Sequence, residues 1–171
     1  MTEVGAGDFV TAETLNYIIQ RAVNRPVCRL VLTANFSTSN ATATATPFAA
    51  GSEIMDDLNW HSTSSNTSRI TPTYPGRYLV TGNVTWAQNT TGDRRVYLQK
   101  VGVASAAFQR PQPITGNPTT VFVSDILEAN GTTDYFELTT YQSSGGALNV
   151  AGLSDNTNST MFSVAYLGDL L

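Results

Sequence analysis

The chain has 171 residues, nine basic and thirteen acidic side chains, and a net charge of −4. That length suits one domain with a short appendage, and the charge balance leaves no basic surface for nucleic acid or anionic lipid. One cysteine, Cys28, excludes an internal disulfide framework and a cysteine-rich zinc site, and one histidine, His61, removes most imidazole chemistry. Charged residues are only 13% of the chain, and Ser, Thr and Asn fill close to a third of it. Hydroxyl and amide residues at that density favour strands and turns over helices. No apolar run approaches the roughly 20 residues that span a bilayer, and the first residues lack the basic and apolar regions of a secretory signal.

Residues 1–26 are built differently from the rest. Met1–Asp8 is polar and glycine-containing. Thr11–Arg25 then carries the chain's only good helical period, with Leu15, Ile18, Ile19, Ala22 and Val23 on one stripe. Asp8 or Thr11 is placed to cap this helix, Glu13 lies in its first turn, and Pro26 ends it. A helix of this length is marginal alone in water, so its stripe either folds back on its own domain or meets a partner. If it meets a partner, Phe9, Leu15, Ile18 and Ile19 are the anchor.

From Val27 onward the period is two. Strands are predicted over Val27–Phe36, Asn40–Thr46, Gly76–Ala87, Arg95–Val101, Thr119–Glu128, Asp134–Gln142 and Thr160–Leu167. Turn sequences separate them, among them Asn130-Gly131 and Gly145-Gly146, which supply positive φ cheaply. In Gly76–Ala87, Tyr78, Val80, Val84 and Trp86 share one face, and Gly82 interrupts it as a bulge or a close approach would require. The expected fold is all-β, a jelly-roll sandwich over 27–171 preceded by a short N-terminal helix. Large residues on the second face of three strands, Tyr97, Phe122, Tyr135 and Tyr141, mark an expected subunit interface.

The order of these segments resembles the jelly-roll superfamily of complement globular heads and tumour necrosis factor. Tyr74-Pro-Gly-Arg-Tyr-Leu-Val80 is similar to that superfamily's Pro-Gly-x-Tyr approach to its first long central strand. Pro47-Phe-Ala, Trp60 and Ser68-Arg-Ile70 resemble the short strands before it. Gly92-Asp-Arg-Arg-Val-Tyr-Leu-Gln-Lys-Val-Gly102, Val121–Leu138 and Met161–Gly168 resemble the later ones, so the likeness covers about 28–171. Gly7-Asp-Phe-Val-Thr-Ala-Glu-Thr-Leu-Asn16 is similar to a segment near the start of small tailed-phage virion proteins. These resemblances imply a compact homotrimer with one sheet of each subunit facing the three-fold axis, displayed on a virion surface and decorating or stabilising the capsid. The implied partners are other copies of the chain and the major capsid protein or another virion protein. A tail-tip or fibre domain binding host-surface glycans through Trp60, His61 and Asn89 is the alternative, and a glycan-degrading enzyme a more distant one.

No catalytic residue, metal ligand or cofactor is assigned. His61 has no nucleophile elbow beside it. Asp56/Asp57, Asp125/Glu128 and Asp134/Glu137 are the carboxylate pairs available for sugar cleavage, and acids near turns are usually solvated. Seven Asn-x-Ser/Thr triplets (Asn35, Asn40, Asn66, Asn83, Asn89, Asn130 and Asn158) arise from composition.

Overall fold

The computed structural model describes residues 10–19, 25–101, 103–153 and 159–169. Among the described residues, helix α1 (Ala12–Ile19) is followed by twelve strands: β1 (Val27–Val31), β2 (Phe36–Thr38), β3 (Thr44–Ala45), β4 (Glu53–Asp56), β5 (Arg69–Ile70), β6 (Pro75–Trp86), β7 (Arg94–Lys100), β8 (Val103–Gln109), β9 (Thr119–Asn130), β10 (Phe136–Gln142), β11 (Leu148–Val150) and β12 (Met161–Gly168). They form two antiparallel sheets packed face to face as a jelly-roll sandwich. Sheet A runs β4-β1-β12-β6-β9, with β11 and β2 continuing from the far end of β6. Sheet B runs β10-β7-β8, and β3 and β5 share the free edge of β10.

Alternation builds the layer between them. Along β6 the even positions Tyr78, Val80, Val84 and Trp86 are fully buried, and β12 adds Phe162, Val164 and Tyr166 beside them. Sheet B returns Val96, Leu98, Phe136 and Leu138. Each such side chain contributes ~1.5–3 kcal/mol on leaving water. Gly82 makes the separation possible: a Cβ there would lie 2.4 Å from Leu138 Cδ1. Close approach of the other sheet, not a bulge, therefore demands the glycine. At one end of the sandwich Trp60, Tyr74, Tyr78, Phe136 and Tyr166 meet ring to ring.

The turns follow their chemistry. Asn130 Oδ1 accepts the backbone N–H groups of Thr132, Thr133 and Asp134, and Gly131 and Gly145 adopt φ of 73° and 92°. Arg94, on the core side of β7, is fully buried and donates to the carbonyls of Asn89, Thr91 and Asp93. Burial lowers its pKa, with Asp93 opposing the shift.

Three strands, β4, β8 and β11, depart from the sequence expectation, and the strand expected over Asn40–Thr46 is only Thr44–Ala45. β4 and β11 are three to four residues long, too short for a period to register. β8 (VASAAFQ) is dominated by alanine and serine, which carry little strand preference; its register on β7 supplies the stability instead. The Val27–Phe36 run is two strands, β1 and β2.

Candidate interaction surfaces

The outer face of sheet A is assembled from the odd positions of β6 and β12 and the even positions of β9. Pairing aligns them in rows. Ile126, Leu79, Ala165 and Val27 form one; Ser124, Thr81, Ser163, Arg29 and Met55 the next; Phe122, Asn83, Met161 and Val31 the third. Ile126 with Leu79 on one side and Phe122 with Met161 on the other thus flank a row that is small and polar on β9, β6 and β12. Phe122 is 61% exposed and Ile126 58%, and Leu79, Ile54, Met55 and Leu153 are exposed around them. A groove lined by Arg29, Val31, Ile54, Asn83, Phe122, Leu153 and Met161 crosses the third row. The Arg29 guanidinium on its floor lies 3.3 Å from Met161 Sδ. Scattered surface apolar residues are ordinary; a contiguous face of them signals an interaction.

The expected interface residues separate on the structure. Phe122 belongs to this face. Tyr97, Tyr135 and Tyr141 lie on sheet B and the turn leading into it, on the opposite side of the sandwich, so one sheet facing a three-fold axis cannot bury all four. The sequence shows that a strand has two large faces; which sheet each strand joins is decided by long-range pairing. The tyrosines are half-buried by intramolecular contacts. Arg69 lies over the Tyr135 ring at 3.9 Å and Arg95 over Tyr141 at 4.4 Å, while Tyr97 stacks on Phe108 with ring centroids 6.0 Å apart.

The N-terminal helix presents a second surface. Thr11 caps α1 by accepting the Thr14 N–H on its hydroxyl. None of the helix residues is buried. Tyr17 packs edge-on against Tyr74, ring centroids 6.0 Å apart. At 100° per residue Tyr17 lies on the side opposite Leu15, Ile18 and Ile19. The helix therefore touches its own domain with the back of its stripe, and Leu15, Ile18 and Ile19 remain exposed. Phe9 and residues 20–24 of the expected helix lie outside the described residues, and Arg25, its expected last residue, is not helical.

Two of the three candidate loop residues are in the interior. Trp60 is 2% exposed, stacks edge-on against Tyr78 and donates its indole N–H to Thr73. His61 is 7% exposed, with Nδ1 2.8 Å from Glu53 Oε1 and Nε2 3.1 Å from the Thr67 carbonyl. The polar stretch around them reads as a loop, but the isolated His61–Ile70 bridge draws it into the sandwich. Asn89 is half-buried; its side chain accepts the Thr91 N–H and its carbonyl accepts from Arg94. These three residues hold the fold and form no shared exposed site.

The carboxylates are likewise engaged. Asp56 accepts the N–H groups of Trp60 and His61, Asp57 that of Val27, and Asp134 pairs with Lys100. Glu137 pairs with Arg69 and Glu128 with Arg77. Among the described residues no three His, Cys, Asp or Glu side chains converge as metal ligands would, and no helix is long and apolar enough to cross a membrane. Burial, then Asp56 and Glu53, pushes the Cys28 thiol well above its usual range, which suits an inert core position.

This architecture is that of the tumour necrosis factor and complement-head jelly roll. The globular domain of a zebrafish complement 1qA protein superposes with a TM-score of 0.59, 9% identity, and coverage of 85% of this chain and 100% of that one. Murine APRIL at pH 5.0 gives 0.59, 12%, 84% and 99%, and Eiger TNF from S. frugiperda 0.58, 10%, 86% and 96%. Identity this low carries the fold alone. No protein-family model and no curated protein sequence matches the chain.

Proposed function

We propose that the chain is a non-enzymatic structural protein that assembles as a homotrimer through the outer face of sheet A. In this reading it decorates a tailed-phage capsid, fastened by the segment that contains α1. The observation that carries the trimer is the pair of exposed apolar clusters on this face, Phe122 in one row and Ile126 with Leu79 in another, in a fold whose complement and tumour-necrosis-factor neighbours are homotrimers. Burying those rows around an axis removes apolar area from water, and the intervening Ser124, Thr81, Ser163 row admits close approach.

Support for the anchor is separate. Leu15, Ile18 and Ile19 are exposed although Tyr17 holds the helix against the domain. Their stripe faces outward, ready for an apolar groove on another protein. Three such helices on one trimer act together, so modest individual affinities multiply, and many bound copies stabilise a shell by mass action. The phage context itself rests on the likeness of Gly7–Asn16 to virion proteins.

The test is co-sedimentation of the purified protein with empty capsid shells of the phage that carries its gene. The full chain is expected to pellet with the shells and Ile18→Asp to stay in solution as a trimer. Equal pelleting of both proteins, or none by either, contradicts the anchor.

A further inference from the structure

The outer face of sheet B collects cations and rings in a pattern that sheet A lacks. Register sets Thr139, Tyr97 and Phe108 side by side across three strands, and Tyr141 beside Arg95 in the next outward row, about 7 Å along the strands. Arg95 and Arg110 both reach Asp93 Oδ2, at 2.8 and 2.7 Å. Arg69–Glu137 and Lys100–Asp134 complete the face and its rim. In every one of these pairs the cation is the more exposed partner: Arg110 at 51% stands over Asp93 at 17%, and Arg69 at 36% over Glu137 at 17%. On sheet A the order reverses, with Glu128 more exposed than Arg77. A chain of net charge −4 therefore turns guanidinium groups outward on one face.

We propose that this face binds an acidic polysaccharide. Phe108, 57% exposed and stacked on Tyr97, offers a ring against which the C–H face of a pyranose packs. Arg110, 51% exposed and one row away, is placed to take a carboxylate on the same or the next sugar, beside Arg95, whose guanidinium is held by Asp93 and the Tyr141 ring. Gln99, bonded to Thr139, and Glu137 border the ring on its other side with planar polar groups suited to hydroxyls. Charge complementarity favours an anion and the ring pair favours a sugar; an acidic protein surface would use the arginines without the ring. The site lies within one chain. It goes beyond the trimer reading, which leaves this face to solvent.

The experiment titrates the full-length protein with three acidic polysaccharides of different linkage, namely oligogalacturonate, polysialate and alginate. Maltohexaose and poly-glutamate serve as neutral-sugar and acidic-peptide probes. At least one acidic polysaccharide is expected to bind more tightly than either probe, and Phe108→Ala and Arg110→Gln each to weaken it about tenfold, a loss of ~1.4 kcal/mol. Arg77→Gln, on sheet A, should leave binding unchanged. Both sheet-B side chains are more than half exposed, so the variants should fold. No binding of any acidic polysaccharide overturns the proposal, as does poly-glutamate binding as well with no effect of Phe108→Ala. Mass measured on the same samples separates this from the assembly reading: a monomer that still binds refutes the trimer alone.

Discussion

On sheet A, the outward Phe122 has no ring or guanidinium stacked on it among the described residues, and Ile126 and Leu79 lie open two rows away. On sheet B, the outward tyrosines Tyr97, Tyr135 and Tyr141 lie under or beside Phe108, Arg69 and Arg95 of the same chain. The two faces come from the same two-residue alternation and end in opposite conditions. An aromatic ring with an intramolecular cation or ring upon it has already gained part of its burial; an aliphatic and phenyl row without one gains it only from another molecule. In the proposed assembly sheet A is the face to be covered, and on sheet B the exposed ring is Phe108, at 57%.

The strongest way to break this contrast is to charge the open row. Phe122→Glu should convert the trimer to monomers, because a carboxylate forced into an apolar interface without a partner costs about 3–5 kcal/mol. Light scattering at micromolar concentration reads the mass, and the isolated fold should survive because the position is exposed in one chain. The next effect falls on the spacing of the sheets. Gly82→Ala places a methyl against Leu138 and should lower unfolding free energy by about 1–3 kcal/mol, measured by urea titration.

Tyr97→Ala should be milder and confined to its own side. Loss of packing against Phe108 should cost about 1 kcal/mol of stability and leave the trimer mass unchanged; a change of mass would move the interface to sheet B. The smallest effect concerns pH. Hydrogen bonding from Arg95, then from Arg110, holds the Asp93 carboxyl below the usual aspartate range, with burial opposing. Its contribution is complete above the unfolded-state value of about 3.9 and is lost as pH falls through the folded value. Asp93→Asn should therefore flatten part of the stability loss seen below about pH 4, followed by thermal unfolding across an acid series.

How far the sequence could be read depends on the range of the interactions. The long strands were legible because their side chains repeat every two residues: Tyr78, Val80, Val84 and Trp86 share the buried face that their alternation predicts. The exposed Leu15, Ile18 and Ile19 stripe was equally plain, since a helical face depends only on neighbours in sequence. Sheet membership was not. Phe122 and Tyr97 look alike locally, and only the pairing of β9 with β6 and of β10 with β7 assigns them to opposite sides. Trp60 and His61 misled for a related reason, because a polar, turn-like stretch gives no sign that a two-residue strand and Asp56 will pull its two rings inside. The arginines over the sheet-B tyrosines, contributed from other strands or across the pairing, had no local signal at all.

That sheet A alone holds the assembly is tested most directly by the mass in solution of the full chain and of residues 27–171, measured side by side by light scattering. Three chain masses are expected for both, because the rows of Phe122, Ile126 and Leu79 belong to the sandwich and α1 turns its stripe elsewhere. A shortened chain that falls to one chain mass, or a full chain that is already a monomer, would contradict it.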